Sequence, residues 1–130
     1  MHNDSNDTGK LVLRLSLGIL ILLHGIAKFT HGIEPIEGMV TGMGMPALVA
    51  YGVYAGEVLG PILLIIGFYA RIGAALIAIN MLFAIALSHT SELASLSQTG
   101  GWALELQGMF LFTAIALMIM GPGRFGVNQR

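Results

Sequence analysis

The chain contains no cysteine. Disulfide exchange, thiolate nucleophiles, iron-sulfur clusters and covalently attached haem therefore lie outside the chemistry it can perform alone. Charge is scarce as well: Asp, Glu, Lys and Arg make up 10% of 130 residues, and the formal net charge is -1. Phosphate binding needs a basic surface, so this balance argues against nucleic acid as a partner. A water-soluble domain needs a charged exterior, and that class is set aside too.

What fills the chain instead is apolar. Hydrophobic residues reach 55% and mean hydropathy is +0.82, the composition of an integral membrane protein. Four apolar runs, about 11–30, 47–69, 72–90 and 102–120, each approach the ~20 residues a helix needs to cross the hydrocarbon core. The expectation is one all-α membrane domain over 1–130, a four-helix bundle. A polar, acidic segment from His2 to Asp7 precedes the first run and no small-residue cleavage pattern follows it, so that run reads as a retained helix.

Connections and charges supply an orientation. Arg71 alone is expected to form a tight joint between helices two and three, whereas His31 to Pro46 is long, and its Met39, Val40, Met43 and Met45 suit an interfacial segment. Ser91 to Gly101 is a polar loop. Lys10, Arg14, Arg71, Arg124 and Arg130 fall on one side and Lys28 near the other. The positive-inside rule then puts both termini in the cytoplasm, with a multi-pass chain in the inner (cytoplasmic) membrane and the longer loops outside.

Six ionisable side chains, Arg14, His24, Lys28, Glu57, His89 and Glu105, interrupt the apolar runs, where charge is costly and usually functional. His24, Lys28 and His31 recur at i, i+4 and i+7 on one face, with Arg14 close to the same stripe. That stripe is expected to face the interior; Arg14 reads as a snorkelling cytoplasmic anchor and His31 as a loop residue. Glu57 is the sharpest position. It lies about ten residues into its run, too deep to reach an interface, so it must be paired, protonated or facing a polar cavity. Gly52, Gly56 and Gly60 form a ridge around it for close helix packing. Asn80 stands about half a turn out of phase with His89 and reads as a separate interhelical hydrogen-bonding residue, and Gln107 is out of phase with Glu105.

Topology brings His24, Lys28, Glu57, His89 and Glu105 to compatible depths in the outer half of the bundle. Lys28 neutralises one glutamate, which leaves the other protonated or matched by a charged His24 or His89, a setting for acid-base work. Metal is the competitor. His and Glu are acceptable ligands, but no motif places a pair of them on one helix, and Lys28 would sit beside the cation. Non-covalent haem between His24 and His89 ranks lower still.

These residues resemble the DoxX family of small four-helix membrane proteins along essentially the whole chain. The resemblance is carried by His24-Gly25 with Lys28, by Gly56-Glu57-Val58-Leu59-Gly60 with Leu64 and Gly67, and by Arg71. Met81, Ala84 and His89, then Gly100-Gly101 with Glu105, and the closing Gly121-Pro122-Gly123-Arg124 complete it. Pro61 stands where the family often has a second glycine, which predicts a kink in helix two. The family includes relatives of the DoxD subunit of thiosulfate:quinone oxidoreductase, so the resemblance implies a redox association rather than a specific substrate.

The leading expectation is thus a component of a membrane oxidoreductase that binds a quinone or similar small molecule in an outward-facing polar pocket. Glu57, His24, His89 and Glu105 would serve as catalytic groups, and Lys28, His24 and His89 as substrate-binding donors. No electron carrier is read in the chain itself, so a redox partner subunit, a bound cofactor or direct hydride transfer would complete the reaction. The alternative is a non-catalytic scaffold or a small-solute carrier. Membrane lipid is the expected environment, and a homo-oligomer through the glycine ridge stays open.

Overall fold

The structure is a computed structural model that describes residues 4–32, 34–46, 48, 51–52, 55–88 and 105–130. Among these the chain is all-α. Helix α1 spans Asp4–His31 and α2 spans Glu34–Gly42; a π-helical turn, Ala55–Leu59, leads directly into α3, Gly60–Ile66; α4 spans Ala70–Ser88 and α5 Glu105–Met120.

The π turn has a local cause. Pro61 has no N–H with which to meet the carbonyl of Glu57 four residues earlier, so α-helical pairing fails there and the backbone winds wider before α3 begins. The irregularity expected at Pro61 is therefore a widened turn that contains Glu57 itself. At the other end of α3, Gly67 adopts a left-handed φ of 70°, and the N–H groups of Gly67 and Phe68 return to the Leu63 carbonyl at 2.9 and 3.1 Å. The joint before α4 is thus the turn Gly67 to Tyr69, and Arg71 lies inside the first turn of α4 rather than forming the joint alone.

Packing selects small residues. The core combines Leu17 and Ile21 of α1, Leu64 of α3, Ala70, Ala74, Ile77, Ala78 and Met81 of α4, and Phe110, Leu111, Ala114 and Leu117 of α5. Large apolar side chains such as Val12, Ile19, Leu23, Ile79, Phe112 and Ile119 are exposed. Apolarity alone therefore does not distinguish inside from outside. Close approach does: a Cβ on Gly60 would lie 2.8 Å from the Gly73 carbonyl oxygen and one on Gly73 2.7 Å from that of Gly60, so α3 and α4 cross backbone to backbone. Gly56 is likewise covered by Asn80, whereas Gly52 has open space beside it. The ridge is used mainly within the chain.

The arginine-rich end is closed by residues 121–130, which account for orphan groups at the ends of α3 and α4. Arg14 donates from Nε to the Leu64 carbonyl at 2.9 Å, from Nη1 to Pro122 at 3.1 Å and to the Phe125 carbonyl, and from Nη2 to Ile65 at 3.4 Å. Val127 donates to the Ile66 carbonyl at 3.2 Å, so all four last-turn carbonyls of α3 have a donor once Leu63 is included. Asn128 Oδ1 receives the Tyr69 N–H at 3.0 Å, and Arg71 N–H reaches the Arg130 carbonyl at 3.2 Å. Arg14 is 1% exposed. The expectation of a snorkelling anchor fails because helix-end carbonyls, with the favourable dipole of a C-terminus, meet the guanidinium inside the fold.

The interval His31 to Pro46 carries a helix that the apolar runs do not announce, α2, with Val40 fully buried. Among the described helices, α1 alone is long and apolar enough to cross a membrane, over Ser5–Ala27; Gly56–Ile66, Ala70–Ala86 and Leu106–Met120 are apolar but shorter.

Candidate functional site

Glu57 is 6% exposed, and Asn80 Nδ2 donates to its Oε1 at 3.2 Å. Asn80, from the middle of α4, is itself 7% exposed. The wider π turn presents the glutamate side chain toward α4, and Gly56 leaves room for that helix: a Cβ there would collide with Asn80, standing 2.7 Å from its Cγ.

Helix α1 completes the packing through Gly25. A Cβ at this position would overlap the Glu57 carbonyl oxygen and lie 2.8 Å from Val58 Cγ2, so only glycine admits the approach. The Glu57 carbonyl, which Pro61 cannot meet, lies against this backbone. His24 is the preceding residue. Its Nδ1 lies 2.9 Å from the Leu20 carbonyl oxygen; a carbonyl only accepts, so Nδ1 carries the proton and Nε2 of the neutral ring is left as an acceptor. The ring meets Phe110 of α5 edge-on, centroids 5.9 Å apart.

His24 is exposed on α1. The buried face of that helix runs instead through Asp7, Arg14, Leu17, Gly18, Ile21 and Gly25, so His24 lies outside it and Arg14 belongs to the interior. Lys28 falls in the last turns of α1 and Glu105 is the first residue of α5, but their side chains lie outside the described residues, as does His89 altogether. The described site is therefore Glu57 with Asn80, bordered by His24, Gly25 and Phe110.

Asn80 was legible as an interhelical donor but not as the partner of Glu57. A signal existed: Glu57 stands eleven residues before Phe68 and Asn80 twelve after it, and antiparallel helices joined by a short turn bring such positions side by side. Chemically, the pair holds a carboxylate away from solvent with one oxygen oriented by an amide, an arrangement suited to receiving and releasing a proton.

A family model described as DoxX matches residues 9–90. The chain is similar to CatD of Bacillus subtilis, whose name assigns it provisionally to the oxidoreductases, with 35% identity over 64% of this chain. It spans 61% of that relative's length. An uncharacterized protein of Haemophilus influenzae is 31% identical over 77% of this chain and 76% of its own length. The uncharacterized membrane protein Rv3486 of Mycobacterium tuberculosis is 28% identical, covering 92% and 79% respectively. No solved structure matches the chain significantly.

Proposed function

Since this chain belongs to the DoxX family, we propose that it is a multi-pass protein of the inner membrane with both termini cytoplasmic. Its helices form a four-helix bundle that serves as a membrane oxidoreductase component, binding a quinone or a similar small molecule in an outward-facing polar pocket. The apolar exterior, with Ile119 74% and Ile79 62% exposed, supports a lipid environment. The oxidoreductase name of the Bacillus subtilis relative supports the redox reading.

The observation that carries the proposal is the burial of Glu57 beside Asn80 at the π turn. Burying a carboxyl group inside apolar helices is costly, and such groups concentrate at sites where their ionisation is used. A quinone supplies an electron-accepting ring, with carbonyls that need hydrogen-bond donors and become hydroxyls on reduction. Asn80 orients Glu57, and Glu57 moves a proton between the pocket and its surroundings. His24, with Nδ1 held by Leu20, presents Nε2 as an acceptor for a hydroxyl proton. Lys28, His89 and Glu105 enter the reading on their sequence depth, as further donors and as a second carboxylate. The two electrons for this reduction come from a partner subunit or a bound donor that this chain would meet in the membrane, and the two protons taken up by the quinone oxygens come through Glu57 and the further donors.

Purification of the full chain in mild detergent, followed by solvent extraction and an absorption spectrum, tests this reading. Quinone is expected in the extract from the wild type and depleted from Glu57→Gln and Asn80→Leu preparations that retain helical content. A colourless, ligand-free wild-type preparation to which added quinone does not bind overturns the proposal and favours the scaffold or carrier.

A further inference from the structure

A second feature lies at the opposite, arginine-rich end and faces outward. Between the first turns of α1 and the last turn of α5 runs an open groove of about 710 Å³, within the size of small-ligand clefts. Its walls are divided by chemistry: Ser5, Asn6 and Lys10 line one part, and Val12, Leu13 and Met120 the other. The polar part lies nearer the start of α1. The apolar part lies further along the helix, so the groove offers a cationic head and an oily floor in the order of a lipid lying beside a membrane helix.

Gly9 adds an independent observation. Helix α1 has three glycines, and Gly18 and Gly25 each press against the segment that contains the π turn and α3, whereas a Cβ on Gly9 would meet nothing within 4 Å. A glycine inside a helix costs about 1 kcal/mol relative to alanine, and nothing among the described residues requires it at this position. It lines the groove, where the missing side chain keeps the floor open.

Charge selects the occupant. Lys10 lines the groove at the end that also carries Arg14, Arg71, Arg124 and Arg130. The Asp7 side chain is buried, 3.8 Å from Arg124 Nε, and is not among the residues that line the groove. We propose that this groove binds one anionic phospholipid, its phosphate held by Lys10 with Ser5 and Asn6 and an acyl chain lying along Val12, Leu13 and Met120. The site rests on the membrane reading given above, but not on quinone binding. Juxtamembrane lysines attract anionic headgroups, and here the groove adds a defined seat.

Native mass spectrometry of the full chain in detergent, with phosphatidylglycerol or phosphatidylcholine of matched acyl chains, tests the proposal. The wild type should retain one phosphatidylglycerol with roughly fivefold preference, and Lys10→Gln should erase the preference. Gly9→Leu should displace both lipids while leaving thermal unfolding unchanged or raised, because the new side chain fills open space in a helix. Equal retention of the two lipids by the wild type overturns the site, as does a preference that survives Lys10→Gln or displacement of the lipid by millimolar inorganic phosphate. Release of the protein from membranes by a carbonate wash would overturn the membrane reading and this site together. Firm membrane retention without headgroup preference overturns the site alone.

Discussion

Arg14 and Glu57 are both ionisable, both nearly inaccessible and both placed inside apolar helical sequence, yet the fold treats them differently. Arg14 is enclosed by backbone carbonyls from α3 and from residues 121–125. Its side chain is a clamp between segments. Glu57 accepts a hydrogen bond from the Asn80 amide, and its own backbone is wound into a π turn. A guanidinium met by fixed backbone carbonyls holds structure, whereas a carboxyl group met by an adjustable side-chain donor suits proton exchange, so equal burial does not mean equal purpose.

The strongest way to break this contrast is to remove the clamp. Arg14→Met should cost about 3–5 kcal/mol, because carbonyls of α3 and of the closing segment lose their donor within the fold. Arg14→Lys should recover only part of the loss, since an ammonium lacks the planar fork that reaches several carbonyls at once. Unfolding in detergent measures both. A loss below about 1 kcal/mol for Arg14→Met would return this residue to the status of a surface anchor.

Gly25→Val should come next, at about 2–3 kcal/mol, by forcing α1 away from the Glu57 carbonyl. Unlike Arg14→Met, it strikes at the π turn, so it should also disturb ligand retention at Glu57. Equal stability of Gly25→Ala, Gly25→Val and wild type would mean that the helices do not approach as described. Asn80→Leu should have a smaller effect on stability, about 1–2 kcal/mol, as Glu57 loses one hydrogen bond in a buried setting. In a double-mutant cycle with Glu57→Gln the losses should fall short of additivity by about 1 kcal/mol. Strict additivity would separate the two residues. The smallest effect belongs to Arg124→Gln, below about 1 kcal/mol, because the arginine is 41% exposed in its pair with Asp7 and solvent screens it. A larger loss would make the closing segment a second clamp comparable to Arg14.

Legibility followed the range of the interaction. The all-α class, the burial of Glu57 and the close-packing use of Gly56 and Gly60 come from runs, periodicity and the cost of charge in apolar surroundings, which are local properties. Arg14 was misread because the Pro122 carbonyl that receives it is 108 positions away, and no helical pattern announces such a contact. The sequence marks Asn80 as an interhelical donor but not its partner, because the register that brings it to Glu57 is set by the turn at Gly67 to Tyr69. Helix α2 was missed because an acidic, glycine-containing stretch between two apolar runs has weak helical propensity.

What the sequence by itself determined is the kind of molecule: an apolar, cysteine-free, all-α chain of the DoxX family with few charges. Hydropathy and covalent limits such as the missing N–H of Pro61 do not depend on what a residue touches. The tertiary structure alone decided which groups meet each buried ionisable side chain. Those groups are carbonyls or amides that arrive from distant segments, and it is the arrival of α4 at Glu57 and of residues 121–125 at Arg14 that gives the two residues their different roles.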